Sequence, residues 1–325
     1  MNGRRALITG VAGQDGSYLA DLLVAKGYEV TGLVRDPGDR ARPTLAGVAD
    51  RIALLPGDLG APATLVDALE AVRPHELYHL AAPTFVPASW EDPAAVMSAI
   101  PGATGTLLAA AHRIDPATRV FVATSSEIFG DAGESPQRET SPMRPRSPYG
   151  IAKLAAHQLV GVLRERLGLF AVSGITYNHE SPRRPERFLP RKVTRGAAAI
   201  ALGLQDELVL GDLRAVRDWC HAADVVRGAW LSLQAGAPDD YVFASGAGRT
   251  VGDLVDAAFA AAGVSAEGRV VVDPAFVRPP EATPPVGDPA HARAALGWEA
   301  EIAFEDLIAE MVATDLADLR AARGR

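Results

Sequence analysis

Cysteine is almost missing from this chain: among 325 residues there is one, Cys220. No intrachain disulfide can form, and no cysteine cluster can hold zinc. An excess of positive charge is missing too. The 32 Lys and Arg face 40 Asp and Glu, for a net charge of −8. Phosphate backbones select basic surfaces, so a general nucleic-acid binder is excluded. No apolar run approaches membrane-spanning length, and residues 1–10 enter a strand at once, without the apolar core and cleavage site of a signal peptide. No membrane association and a cytoplasmic location are therefore expected. Internal repeats and low-complexity tracts are absent as well. What is present is ordinary for a soluble enzyme: 48% apolar and 22% charged residues, at a length suited to one large α/β unit or two lobes.

Residues 124–153 concentrate the chemistry. The run Arg119-Val120-Phe121-Val122-Ala123 reads as a buried parallel strand, and Ser125 and Glu127 follow it directly. The stretch closes on Tyr149 and Lys153, four residues apart, with Leu154, Leu159, Val160 and Leu163 after them at helical spacing. Residues i and i+4 share a helix face, so the Lys153 ammonium can sit under the Tyr149 phenol and favour the phenolate. A phenolate beside a serine hydroxyl can take a proton from an alcohol while a hydride leaves the same carbon. A Tyr-x-x-x-Lys spacing alone also occurs on solvated helix faces. The Ser125/Glu127 strand end and an N-terminal glycine loop turn the reading to catalysis. The set resembles the Ser–Tyr–Lys site of the short-chain dehydrogenase/reductase superfamily.

That glycine loop follows a short strand over residues 4–10. Gly10, Gly13 and Gly16 precede an amphipathic helix (Tyr18, Leu19, Leu22, Leu23) and a strand over residues 28–34. This is a βαβ unit whose backbone can approach a pyrophosphate at a helix N-terminus. The spacing, G-x-x-G-x-x-G, matches the version used by short-chain dehydrogenases. Arg35 stands at the end of the second strand, where an NAD-binding protein places an acid; this favours NADP, although Asp36 follows it. A strand over residues 52–55 leads to Asp58 and Leu59, placed to hydrogen-bond adenine. After the strand over residues 77–80, the small residues following Leu80, Ala81 and Ala82, let a nucleotide lie against the backbone. His79 in that strand reads as a packed core histidine. A helix near residues 102–112 leads into the Ser125 strand.

Strand and helix alternate as in a doubly wound parallel sheet (Rossmann-like), and a smaller C-terminal α/β substrate lobe follows. The expected division is a dinucleotide-binding domain over residues 1–178, with a return segment near 212–245, and a mainly substrate-binding lobe over 179–325. Six basic residues, Arg183, Arg184, Arg187, Arg191, Lys192 and Arg195, crowd one short segment. In an acidic chain they suggest an anionic substrate such as a diphosphate, with a solvated basic helix as the alternative. The final amphipathic helix (Phe304, Leu307, Ile308, Met311, Val312) reads as core packing.

Three strings carry a narrower resemblance, which covers nearly the whole chain: Thr9 to Leu19, Arg146-Ser147-Pro148-Tyr149, and Asn178-His179-Glu180-Ser181-Pro182-Arg183-Arg184. Arg191-Lys192, Arg217-Asp218-Trp219 and Phe276-Val277-Arg278-Pro279 add to it. The chain is similar to the GDP-mannose 4,6-dehydratase family. The resemblance implies NADP held by Gly10, Gly13, Gln14, Asp15, Gly16, Arg35, Asp58, Leu59, Leu80, Ala81, Tyr149 and Lys153. It implies catalysis by Ser125, which stands where the family has threonine, together with Glu127, Tyr149 and Lys153. It implies a nucleotide-diphosphate sugar, GDP-mannose, bound by Asn178, Lys192, Arg217, Arg278 and Glu281, and a homodimer or homotetramer. No metal is implied.

Two departures from the family keep other outcomes open. Pro83, Thr84 and Phe85 stand where the family usually has Gln-Ser and often His, beside the sugar, and the segment after Arg35 is unlike the family's oligomer-contact loop. A C4 epimerase, which has no need of Glu127, is the alternative chemistry. A nucleotide-sugar decarboxylase would require a carboxylate partner that the sequence does not identify, and a non-catalytic NADP sensor would not require all four catalytic residues.

Overall fold

The computed structural model of the chain describes residues 3–36, 38, 41–276 and 283–323. The first part alternates as β1 (Arg5–Thr9), α1 (Gln14–Ala25), β2 (Glu29–Val34), β3 (Ala53–Pro56), α2 (Pro62–Val72), β4 (Glu76–His79), α3 (Pro93–Met97), α4 (Ala103–Ile114), β5 (Arg119–Ala123), α5 (Pro148–Leu167) and β6 (Ala171–Thr176). The second part runs β7 (Asn178–Glu180), α6 (Leu189–Ala201), β8 (Leu208–Leu210), β9 (Val216–His221), α7 (Ala222–Ser232), β10 (Asp240–Phe243), β11 (Gly248–Thr250), α8 (Val251–Ala262), β12 (Val270–Val272), α9 (Ala290–Leu296) and α10 (Phe304–Arg323).

Seven strands form one sheet in the order β10-β6-β5-β4-β1-β2-β3, and every pair is parallel. The sequence accounts for this. β4 and β6 are buried along their whole length, as strands covered by helices on both faces must be. Chain order reverses between β1 and β4, so a crevice opens beyond the carboxyl end of β1, where a doubly wound sheet binds its ligand. Gly10 lies at that end.

The second part adds a three-stranded sheet, β11-β9-β7, and a β12-β8 pair. Helices α6, α8 and α10 close over them around Val193, Ala197, Leu254, Leu307 and Met311. Of the segment near 212–245, α7 and β10 join the large side of the molecule, β10 pairing with β6. β9 pairs instead with β7 and β11.

One expectation is corrected. α3, a π turn over Ser98–Gly102 and α4 run on as a helical stretch, Pro93–Ile114, long and apolar enough by length and composition to cross a membrane. The helix expected near residues 102–112 is the last part of this stretch; Pro101, which cannot donate to a helical hydrogen bond, falls in the π turn. One face of the stretch packs on the protein's own core: Ala103, Leu107, Leu108 and Ala111 pack with Leu65, Leu69, Val120 and Val160, and Val96 and Ile100 pack with Tyr149 and Ala152.

Candidate active site

The carboxyl end of β5 presents Ser125 and Glu127. Ser125 is extended, and its Oγ accepts from the Glu127 N–H at 3.3 Å, starting a short turn over Ser126–Ile128. α5 begins beside it. Ser147 caps that helix, accepting from the Gly150 N–H at 3.0 Å with Pro148 in the first turn, an arrangement that fixes where a helix starts. A Cβ on Gly150 would stand 2.6 Å from the Glu127 carbonyl, so the turn and the helix start are pressed together. Tyr149 and Lys153 are consequently buried under the β5 end while Glu127 is exposed.

The electrostatics of the pair are set first by its burial. Burial raises the Tyr149 phenol well above its usual value; the Ser125 hydroxyl bonds to it and lowers it, Glu127 and Asp15 raise it, and Arg184 lowers it. Lys153 is buried one helical turn further on. Its Nζ donates to the Ala123 carbonyl at 2.6 Å and lies 5.8 Å from the Tyr149 ring centroid. Ser125 and Arg184 both favour the phenolate.

Lys153 itself is pushed down to about 8 by burial, against an ordinary 10.5, with Asp15 opposing. The folded-state value is depressed, so between about pH 8 and 10.5 the unfolded chain binds a proton that the folded chain does not. Stability must rise with pH across that window. We expect the protein to gain stability relative to Lys153→Met by up to about 3 kcal/mol between its ends. Urea unfolding of both proteins near each end checks this; a constant difference would refute it.

The glycine loop is built for close backbone approach. Gly10 adopts φ +74, and a Cβ there would lie 2.9 Å from the Ala81 Cα. A Cβ on Gly16 would lie 2.2 Å from the Gly10 carbonyl oxygen and 2.6 Å from the Val11 Cα. Gly13 caps α1 with no side-chain hydrogen bond, which leaves the first N–H groups of the helix available to an anion. The Leu80 and Ala81 N–H groups both donate to Thr9 Oγ1 at 3.1 Å, holding the end of β4 beside the loop. His79 is a packed core residue 2.8 Å from Thr9, held at about 3 by burial and by Lys153. Arg35 is exposed at the end of β2, while Asp36 turns its Oδ1 back to the Gly38 N–H at 2.8 Å. The exposed Asp58 accepts from Gly60 N–H at 2.9 Å, with Leu59 half-buried beside it.

The Asn178–Arg184 string docks on the helix that starts at this loop. His179 Nε2 meets Asp15 Oδ2 at 2.9 Å. Gln14 Nε2 donates to the His179 carbonyl at 3.0 Å, and Ser181 Oγ to Gln14 Oε1 at 2.8 Å. Burial would raise Asp15, but the His179 charge and hydrogen bond and the Gln14 amide hold it at about 2. Burial opposes the charge on His179 and Asp15 outweighs it, so its value is raised. Sequence reasoning missed His179 and Arg184 as site residues. The signal was present: both lie in the most specific string.

The basic segment is corrected in part. Arg183 pairs with Asp21 at 2.8 Å and covers the Tyr18 ring at 4.1 Å. Arg184 faces the buried Glu180 at 3.1 Å without the alignment of a hydrogen bond. Arg191 pairs with the fully buried Asp315 at 2.8 Å, and Arg195 with Glu186 at 3.1 Å. These four charges are directed at the chain's own carboxylates, several of them distant in sequence.

Of the residues expected to hold substrate, Asn178 opens β7 opposite Trp219 and is half-buried. Lys192 on α6 donates to the Val209 carbonyl at 2.8 Å, beside a cavity of about 400 Å³ that it lines with Glu186, Arg195 and Leu208. Arg217 in β9 donates to the Val216 carbonyl at 2.6 Å. Its neighbour Asp218 is fully buried and accepts from the N–H groups of Ser245, Gly246 and Gly287, a structural role. Arg278 and Glu281 lie outside the described residues.

A doubly wound sheet, a glycine turn at its switch point and a Ser–Tyr–Lys cluster at the next strand end define a dinucleotide-binding enzyme of the short-chain dehydrogenase/reductase class. The model of the GDP-mannose 4,6-dehydratase family matches residues 7–311. GDP-mannose 4,6-dehydratase of Sinorhizobium fredii is 41% identical over 98% of this chain and 98% of its own, and that of Yersinia enterocolitica is 40% identical over 96% and 94%. The chain belongs to the GDP-mannose 4,6-dehydratase family. Among solved structures it resembles RMD from Pseudomonas aeruginosa complexed with NADPH (TM-score 0.81, 25% identity, 97% and 99% of the two chains). It also resembles UDP-glucose 4-epimerase from Thermus thermophilus complexed with NAD (TM-score 0.80, 26% identity, 96% and 98%).

Proposed function

We propose that this enzyme converts GDP-mannose to GDP-4-keto-6-deoxy-mannose with NADP as its resident cofactor. The observation that carries the reading is the exposed Glu127 carboxylate beside the Ser125–Tyr149 pair: oxidation at C4 calls on Ser125 and Tyr149, and elimination across C5–C6 requires one further acid–base group.

The uncapped start of α1 and the Gly16 position, too tight for any Cβ, fit a dinucleotide pyrophosphate. Arg35 suits a 2′-phosphate, and Asp58, Leu59, Leu80 and Ala81 suit the adenine side. NADP, when bound, supplies the oxidant for C4 and the hydride for C6. The chain's own groups move the protons. Ser125 holds the substrate O4, and Tyr149 takes its proton. With a ketone at C4 the C5 proton becomes acidic; Glu127 removes it and delivers a proton to the C6 oxygen, so that water leaves, and the solvent-exchanged proton that Tyr149 took from O4 is returned to C5 as the hydride adds at C6. Lys192 and Arg217 are assigned to the nucleotide diphosphate and Asn178 to its orientation. The proposal includes a homodimer or homotetramer, as the family resemblance implies, and a cytoplasmic location.

Incubation with GDP-mannose in deuterated water tests the reading. Product mass should fall by one water, with deuterium at C5 and the original C4 hydrogen at C6. Retention of the C6 hydroxyl with inversion at C4 would establish an epimerase instead. Cofactor choice has its own test. A guanidinium pairs bidentately with a phosphate that NAD lacks, so Arg35→Ala should weaken NADP binding by about 1.5–3 kcal/mol and leave NAD binding unchanged. Equal affinity for the two cofactors before mutation would remove Arg35 from this role.

A further inference from the structure

A pair of aromatic rings joins the two parts of the molecule above the site. Phe85, in the loop after β4, meets Phe188, which caps the start of α6, edge to face with centroids 5.7 Å apart and planes at 89°. The Arg184 guanidinium lies 3.7 Å above the Phe188 ring, and Arg187 stands 5.5 and 5.4 Å from the two ring centroids. Val86, next in the chain, packs in the same apolar cluster as Tyr149, and Arg184 is close enough to act on the Tyr149 phenol. The rings are therefore one residue removed from the catalytic wall on each side. Both are half-buried, and neither belongs to a core cluster among the described residues. Phe85 also stands in the Pro83-Thr84-Phe85 segment where the chain departs from its family.

We propose that Phe85 and Phe188 form a clasp that closes over the bound sugar and retains it between oxidation at C4 and completion at C6. The inference rests on the dehydratase reading. That reaction requires one sugar to stay in one cleft through a ketone and then an unsaturated ketone, because the hydrogen removed from C4 must return to the same molecule. An aromatic pair between two loops excludes water yet is a modest contact, which suits a closure that opens once per turnover. Phe85 and Phe188 are positioning residues; they take no part in proton transfer.

The test is a crossover experiment on the holoenzyme. GDP-mannose with deuterium at C4 is mixed with GDP-mannose carrying heavy carbon in the ring and ordinary hydrogen at C4. In the unmutated protein deuterium should appear at C6 only in product of ordinary carbon. If the clasp is lost, the 4-keto sugar escapes without its C4 hydrogen, which remains on the enzyme-bound reduced cofactor. On entering another enzyme molecule in that state it acquires the wrong hydrogen. Phe85→Ala and Phe188→Ala should each raise the escaping fraction by up to about tenfold, with free 4-keto-6-hydroxy sugar nucleotide detectable by mass and NADP affinity unchanged. Phe85→Leu, which keeps an apolar side chain in the loop, should give a smaller rise, and the double variant no more than the larger single effect. Product without crossover in both alanine variants overturns the clasp, and so do independent, additive effects in the double variant. If the unmutated protein forms no 6-deoxy product at all, the dehydratase reading fails and the clasp falls with it.

Discussion

Gly16→Ala is expected to lower NADP affinity and turnover together by on the order of 100-fold, the penalty for misplacing a binding element by about an ångström. The added Cβ would sit 2.2 Å from the Gly10 carbonyl oxygen, 2.6 Å from the Val11 Cα and 2.8 Å from the Gly10 carbonyl carbon. All three are backbone atoms, so no side chain can swing aside. The start of α1 would have to move, and with it the N–H groups offered to the pyrophosphate. Asp15 would be carried along, straining its 2.9 Å contact with His179. Gly161→Ala on α5 is the control: its Cβ meets nothing within 4 Å, and alanine in an open helical position is neutral or stabilising by about 0.4–1 kcal/mol. Calorimetric titration of both variants with NADP, and then with GDP, separates cofactor affinity from general damage. Unchanged NADP affinity in Gly16→Ala would place the pyrophosphate elsewhere.

The parts of the molecule that sequence makes legible are those governed by short-range periodicity. The apolar runs at β1, β2, β4 and β5 stand within a residue or two of where they were expected, because strands buried on both faces admit few polar residues. Tyr149 and Lys153 fall on one helix face by spacing alone, and Ser147-Pro148 fixes the start of that helix. What was not legible depends on contacts between distant residues. Arg191 stood in a cluster of six basic residues that suggested an anionic substrate; its carboxylate, Asp315, is 124 residues away. Arg183 finds Asp21 across 162 residues. Asp15 and His179, 164 residues apart, become one half-buried pair at the cofactor loop. Spacing could put Lys153 beside Tyr149 but could not show that the Ala123 carbonyl would claim the ammonium. Nor could it show that Phe85, a departure in one loop, would find Phe188 in another.

Glu127→Gln should reduce water elimination by a factor on the order of 100–10,000, the usual contribution of a positioned acid–base group, while leaving oxidation at C4 intact. The amide is nearly isosteric with the carboxyl, so the turn over Ser126–Ile128 and the backbone bond from residue 127 to Ser125 Oγ should persist. Ser125 and Tyr149, which address O4, are unchanged. The amide can neither accept the C5 proton nor deliver one to the C6 oxygen. Substrate should therefore be taken only as far as the C4 ketone, with the C6 hydroxyl retained and no 6-deoxy product within the turnover time of the unmutated enzyme. Tyr149 should also titrate differently. The Glu127 carboxylate raises its value, so removing that charge lowers it and should shift the acidic limb of C4 oxidation, where the base is lost to protonation, to lower pH. Mass analysis of quenched single turnovers, together with the pH dependence of C4 oxidation, reads both effects. If Glu127→Gln forms 6-deoxy product at the unmutated rate, Glu127 is only a strand-end carboxylate, and an epimerase, which has no need of it, becomes the better account of this site.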